Sequence, residues 1–107
     1  MTAMLTIVAD DLTGACDTGT LFAGRSSVPL AIWPRAPSPG EVRVIDTESR
    51  ARAAGESARR VLSAVARAPA THLFKKIDST LRGRIGAEVE ALMSAAGVCS
   101  ALVCPAF

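Results

Sequence analysis

Aromatic residues are scarce in this chain: among 107 residues there are one Trp, three Phe and no Tyr. With a formal net charge of only +2, that scarcity argues against a basic surface studded with stacking rings, so no nucleic-acid partner is expected. Histidine is reduced to His72 alone, which excludes a multi-histidine metal centre and speaks against a Ser-His-Asp triad. It is expected to cap or flank a strand. Cys16, Cys99 and Cys104 are odd in number and lack Cys-x-x-Cys spacing, so they predict neither a disulfide framework nor a zinc site but small buried thiols. Long hydrophobic runs are missing too. The stretch from Met4 to Ala9 is too short for a spanning helix or a signal-peptide core and runs straight into two aspartates, so no membrane partner and a cytoplasmic location are expected.

The composition is otherwise that of a globular domain, half hydrophobic and about a fifth charged, without low-complexity tracts. Leu5 to Ala9 reads as a short buried strand. Thr13 to Ala23 reads as a helix with Cys16, Leu21 and Phe22 inward and Gly24 as its stop, and Val28 to Trp33 as a second strand. The prolines and glycine between Pro34 and Gly40 predict a loop, after which Val42 to Ile45 is a third strand, joined to the second by a hairpin or an irregular crossover. Ala54, Ala58, Val61, Leu62 and Val65 recur at helical steps until Pro69 ends the pattern. Leu73 to Ile77 is a fourth strand. A third helix carries Ile85, Val89, Leu92 and Met93 and closes at Gly97, and Val98 to Cys104 reads as a fifth strand. This alternation predicts a three-layer α/β fold, Rossmann-like, with a mainly parallel sheet and flanking helices. A fifth strand with no helix to cover it predicts an N-terminal domain truncated at its C-terminal side.

Three apolar runs end in an aspartate followed closely by hydroxyl residues: Asp10-Asp11-Leu12-Thr13, Asp46-Thr47-Glu48-Ser49-Arg50 and Asp78-Ser79-Thr80-Leu81-Arg82-Gly83. In a parallel sheet the carboxyl ends of the strands share one edge, so these segments are expected to meet around one small, oxygen-rich ligand. Paired acids at Asp10 and Asp11 suit hydroxyl binding, a magnesium ion or proton abstraction, although Asp11 and Thr13 also suit a helix N-cap and Asp17 a helix first turn. Thr47 or Ser49 would serve as an ordinary N-cap, while Arg50 can present a planar fork to a carboxylate or phosphate. In the third motif Lys75 and Lys76 precede Asp78, and strand alternation allows only one of them to point to a given face. Ser79 or Thr80 capping the next helix, with Arg82 at the surface, is the plainer reading. Lys, Asp, Ser, Thr and Arg within seven residues make a site the stronger one.

These residues carry a resemblance. The stretch Ala9-Asp10-Asp11-Leu12-Thr13-Gly14-Ala15 with Asp17, then Lys76-Ile77-Asp78-Ser79-Thr80-Leu81-Arg82-Gly83 and Ile85-Gly86-Ala87-Glu88, resembles the N-terminal substrate-binding domain of the four-carbon acid sugar kinases over nearly the whole chain. The resemblance implies an ATP-dependent kinase acting on the terminal hydroxyl of threonate, erythronate or a 3-oxo relative, as a two-domain protein. ATP and Mg would be held mainly by a C-terminal domain beyond this chain, so that the 107 residues bind a small-molecule sugar acid without turning it over. By motif position it marks Asp10 and Asp11 as catalytic, orienting the hydroxyls and taking a proton, and Lys76, Asp78, Ser79 and Arg82 as substrate-binding, with Lys76 and Arg82 on the carboxylate. Arg50 joins them on the physical argument. Arg84 departs from the pattern, which implies a small polar residue there. A homo-oligomer is compatible with all of this.

Other classes fit less well. A phosphoacceptor receiver domain has acids placed like Asp10, Asp11 and Asp46 but needs a lysine at the end of its fifth strand, where Val103-Cys104-Pro105 stands. A haloacid-dehalogenase-type phosphatase wants its two aspartates separated by one residue, and these are adjacent. A non-catalytic sugar-acid-binding module or remnant is the closer rival, since the chain has no phosphate-binding glycine loop.

Overall fold

The computed structural model describes residues 2–24 and 26–105. Strand β1, Ala3–Ala9, is apolar on both faces because it lies inside the sheet: Ile7, Val8 and Ala9 are fully buried. It is flanked by β3 (Val42–Asp46) and β4 (Ala70–Lys76), and β2 (Leu30–Ile32) lies outside β3, giving the order β2-β3-β1-β4 with every pairing parallel. The link from β2 to β3 is therefore an irregular crossover and not a hairpin.

Strand alternation divides the core into two clusters, so the domain has three layers. Ile7, Ala9 and Val44 pack with Ala15 of α1 (Leu12–Thr20) on one face. Val8 and Ile45 face the other way, onto Val61 and Ala64 of α2 (Ala54–Arg67) and Ala91 and Leu92 of α3 (Ile85–Ala96). The predicted α/β class and parallel sheet are thus found.

Helix α1 differs from expectation in which side it buries. Its inward residues are Gly14, Ala15, Thr18 and Gly19, while Cys16, Leu21 and Phe22 are exposed. Small residues let the helix approach closely: a Cβ on Gly19 would lie 3.2 Å from Val44. The helix ends at Thr20, before Gly24, and Asp17 lies beyond its first turn. Of the row predicted for α2, Val61 is buried and Ala58 and Val65 pack half-buried against the core, whereas Ala54 and Leu62 are exposed and the helix buries Ser57 and Ala64 instead. Gly97 closes α3 in a left-handed conformation.

Three further expectations fail. Residues 98–105 form no strand. A cavity of about 950 Å³ lies between this segment, α3 and β4, lined by Phe74, Val89, Met93 and Leu102 among others, so the segment is not laddered onto the β4 edge. One-sided pairing would offer few hydrogen bonds for the chain entropy lost, and small Cys99, Ser100 and Ala101 have little apolar surface to contribute. All three cysteines are free and exposed, not buried, because each lies on an outward position or on that unpaired segment. His72 lies within β4, exposed, and does not flank it. No helix among the described residues is long and apolar enough to cross a membrane.

Candidate functional site

The register brings the three motifs to one row, since Ala9 of β1 lies opposite Asp46 of β3 and Lys76 of β4. From β1 the chain leaves onto one face through α1, and from β4 onto the other through α3, so a crevice opens between the loops after these two strands. The loop after β3 is tied to the first motif through the backbone. Thr47 N donates to Ala9 O at 2.8 Å, and Ser49 N and Arg50 N both donate to Asp10 O, at 3.0 and 3.2 Å. From the outside, Arg60 Nη1 donates to the carbonyls of Thr47 and Glu48 at 3.0 Å each.

Arg50 is the point where all three motifs meet. Its fork grips Asp10 through Nη2 to Oδ1 at 2.9 Å and Nε to Oδ2 at 3.3 Å, and Nη2 also lies 3.2 Å from Asp11 and 3.6 Å from Asp78. Asp10 is 3% exposed, so a carboxylate there is stable only because a charged donor faces it. The bond to Asp10 is the main reason that the Arg50 pKa is raised, which keeps its charge fixed. Asp11 is more open. Its Oδ1 accepts from Gly14 N at 2.9 Å, the helix cap anticipated for it, while still reaching Arg50.

The loop after β4 is folded around Asp78. Asp78 Oδ2 accepts from Thr80 N and Oγ1 and from Arg82 N and Nε, and Oδ1 accepts from Arg82 Nη2 at 2.8 Å. The Arg82 guanidinium, followed by the Thr80 hydroxyl, holds the Asp78 carboxyl well below the usual carboxylate range, so Asp78 is an acceptor at any ordinary pH. Arg82 remains two-thirds exposed, with its Nη1 edge unengaged among the described residues. Gly83 then passes so close over Asp10 that a Cβ would lie 2.5 Å from its Oδ2, at φ +98°.

Among the other marked residues, Lys76 turns to the α1 face, with its Cγ within 3.4 Å of a Cβ built on Gly14 and its Nζ donating to Ile77 O. Ser79 is exposed on the same loop. Arg84 is exposed and donates to Arg52 O at 3.0 Å, away from the carboxylates. Neither Thr47 nor Ser49 caps α2, whose N-cap is Ala53. Ser79 and Thr80 do not cap α3 either, because that helix starts only at Ile85 after Arg84. Both hydroxyl residues of the β3 loop are instead buried in a chain that sequence reasoning did not find: Thr47 Oγ1 and Ser49 Oγ are 2.6 Å apart, Ser49 donates to Glu88 Oε2 at 2.8 Å, and Glu88 Oε1 lies 3.1 Å from Lys75 Nζ. One signal was available, since Ile85, Glu88 and Leu92 share a helical row and put a carboxylate on the inward face.

Asp46 stands apart from the ion pairs. It is fully buried, Oδ1 accepts from Glu48 N at 2.9 Å and Oδ2 has no hydrogen-bond partner. Burial foremost, then the neighbouring Glu48, pushes its carboxyl up to about 7. Because the folded value exceeds the unfolded one of about 3.9, the stabilising contribution is complete below about pH 4 and is withdrawn as pH rises through 7. The shift corresponds to roughly 4 kcal/mol across the whole of that window. The stability of Asp46→Asn relative to the parent should therefore rise between pH 5 and pH 8, measured by urea unfolding at each pH. A constant difference would show that Asp46 does not titrate there.

Comparisons with known proteins agree with one another. A model of the sugar-binding N-terminal domain matches residues 5–107. The D-threonate kinase of Salmonella typhimurium is 44% identical over 96 residues, covering 83% of this chain and 23% of that protein. The D-threonate kinase of Cupriavidus necator is 43% identical over 108 residues, 94% of this chain and 26% of its own length. The D-erythronate kinase of Heliobacterium modesticaldum is 44% identical over 101 residues, 85% and 23%. The chain thus spans about a quarter of the length of the curated relatives it matches.

Proposed function

This chain belongs to the sugar-binding N-terminal domain family, and from that premise we propose that it is the acid-binding portion of an ATP-dependent kinase acting on the terminal hydroxyl of a four-carbon sugar acid such as threonate or erythronate. The observation that carries the reading is the meeting of Asp10, Asp11 and Asp78 on Arg50 beside the exposed edge of Arg82. A polyhydroxy acid needs acceptors for its hydroxyls and a cationic fork for its carboxylate, and both lie at one strand-end crevice.

In this reading Arg82 and Lys76 take the carboxylate and Ser79 adds a hydroxyl from the same loop. Asp78, fixed as an acceptor, and the open Asp11 take substrate hydroxyls. Asp10 holds Arg50 and so sets the geometry; of the two catalytic candidates Asp11 is the more accessible for receiving the proton of the attacking hydroxyl. Catalysis of phosphoryl transfer is mostly positioning and charge neutralisation. Among the described residues no three His, Cys, Asp or Glu side chains group to hold a metal ion. Arg50 already places a positive charge between Asp10, Asp11 and Asp78, so these acids do not fit a magnesium site of their own. ATP and its metal are assigned to sequence that the relatives carry outside the matched quarter.

Steady-state kinetics of the full-length protein with Mg-ATP and a panel of four-carbon acids tests the proposal. Arg82→Lys should raise the KM for the acid by about ten- to a hundredfold and leave that for ATP within about twofold, because an ammonium cannot reproduce a planar two-point contact worth roughly 1.5–3 kcal/mol per bond. A raised KM for ATP with the acid spared would move Arg82 to the phosphate side. Acid binding without turnover would favour the binding-module reading.

A further inference from the structure

We propose that Glu88 is a positioning residue for Arg50, acting through Ser49, and that the buried chain from Lys75 to Thr47 is what holds the guanidinium fork in place; this rests on the reading of Arg50 as part of the acid site. Glu88 is 1% exposed and Ser49 fully buried, and the Lys75 side chain is only 7% exposed. A buried carboxylate and ammonium 3.1 Å apart are costly to desolvate and are a weak source of stability. Their placement therefore invites a role beyond holding the fold together.

The direction of the hydrogen bonds follows from the charges. Glu88, facing Lys75, is an acceptor only, so Ser49 Oγ must donate to it. With its proton committed, Ser49 Oγ can only accept from Thr47 Oγ1, whose single proton is shared between Ser49 Oγ at 2.6 Å and Ala9 O at 3.0 Å. Ser49 is fixed from two more sides: its N donates to Asp10 O at 3.0 Å and its O accepts from Ser57 Oγ at 2.9 Å. The next residue is Arg50, whose N shares the Asp10 carbonyl. Glu88 thus lies in the first turn of α3, immediately after the Asp78–Gly83 loop, and sets the residue from which the fork projects onto Asp10, Asp11 and Asp78. Glu88 thereby joins the loop after β3 to strand β4, and the Ser49 backbone carries the tie on to the loop after β1. Lys75 does its part from the face opposite Lys76, so the two adjacent lysines have separate tasks.

Two readouts test this. Glu88→Gln keeps the size of the side chain but lets it offer an N–H to Ser49 or Lys75, and Ser49→Ala, the milder variant, removes the link while leaving Glu88 opposite Lys75. In either, hydrogen exchange at the Ser49 and Arg50 amides should accelerate about tenfold relative to the amides of β1 and α2. Unchanged relative protection in both overturns the proposal, whatever the ligand. Titration calorimetry with D-threonate then supplies a double-mutant cycle. Glu88→Gln should weaken binding about tenfold in the parent and less than twofold in an Arg50→Lys background, whereas equal losses in both backgrounds would show that Glu88 does not act through Arg50. Failure of the folded parent to bind either D-threonate or D-erythronate would instead count against the acid site itself, while the exchange measurement still decides the coupling.

Discussion

Arg50→Ala is expected to abolish acid binding, by more than a hundredfold, and to destabilise the domain by about 3 kcal/mol. The second figure follows from what is left behind. Removing one partner of a buried pair costs roughly 3–5 kcal/mol because the other charge stays buried and uncompensated, and the lower end applies here because the Arg50 side chain is 23% exposed. Asp10 would then be a nearly buried carboxylate with Asp11 and Asp78 turned toward the space that Arg50 occupied. Repulsion among three like charges would splay the loops that build the crevice. Arg50→Lys retains a charge but not the fork, so it should cost about 1 kcal/mol and roughly tenfold in binding. Urea unfolding and calorimetric titration with D-threonate, run on both variants, check this. If Arg50→Ala proved as stable as the parent, the triple contact would be a surface arrangement without energetic weight.

Gly83→Ala should be nearly as damaging, through a different cause. At φ +98° a residue with a side chain is strained by about 1–3 kcal/mol. The new methyl would also lie 2.5 Å from Asp10 Oδ2 and 3.6 Å from Arg50 Cγ. Asp10 cannot step aside without breaking its two-point contact with Arg50, so either the loop lifts or the ion pair opens. Acid binding should fall by about a hundredfold or more in both cases, with a stability loss of about 2–4 kcal/mol. Gly83→D-Ala, introduced by ligation, should relieve the φ strain, and its methyl would occupy the other side of the backbone and miss Asp10. Recovery of binding with the D residue and not with the L residue would confirm the geometry. Full binding by Gly83→Ala would mean that the loop has room to move.

Much of the site was legible because its residues are clustered in sequence. Asp10-Asp11 and Asp78 to Gly83 follow apolar runs with β character, and parallel strands put their carboxyl ends on one edge. The physical basis is local in each case: the hydrophobic period fixes strand or helix, and Asp11 reaches Gly14 N within one helical turn. Arg50 was placed at the edge by its position after β3, but its contact with all three carboxylates depends on which strands are neighbours. That is a property of the order β2-β3-β1-β4.

The failures share a cause as well. Leu21 and Phe22 were expected inward because they are large and apolar, yet α1 packs through Gly14, Ala15, Thr18 and Gly19, since the spacing available against Val44 admits only small residues. Thr47 and Ser49 look like caps in any local reading. They are instead buried donors to Ala9 O and Glu88, and the partner of Ser49 is 39 residues away. The residues of Val98 to Cys104 carry a strand-like pattern that finds no ladder among the described residues, because pattern states a propensity and only a partner of matching geometry satisfies the backbone.

The sequence by itself determined the α/β alternation, the polar strand ends and the identity of the charged groups, since these depend on interactions within a few residues. Tertiary structure alone decided that Lys75 and Lys76 serve opposite faces, that Glu88 reaches Ser49, and that Arg50 gathers Asp10, Asp11 and Asp78. Those outcomes are set by strand order, register and helix approach, and each depends on distances between segments that local periodicity does not encode.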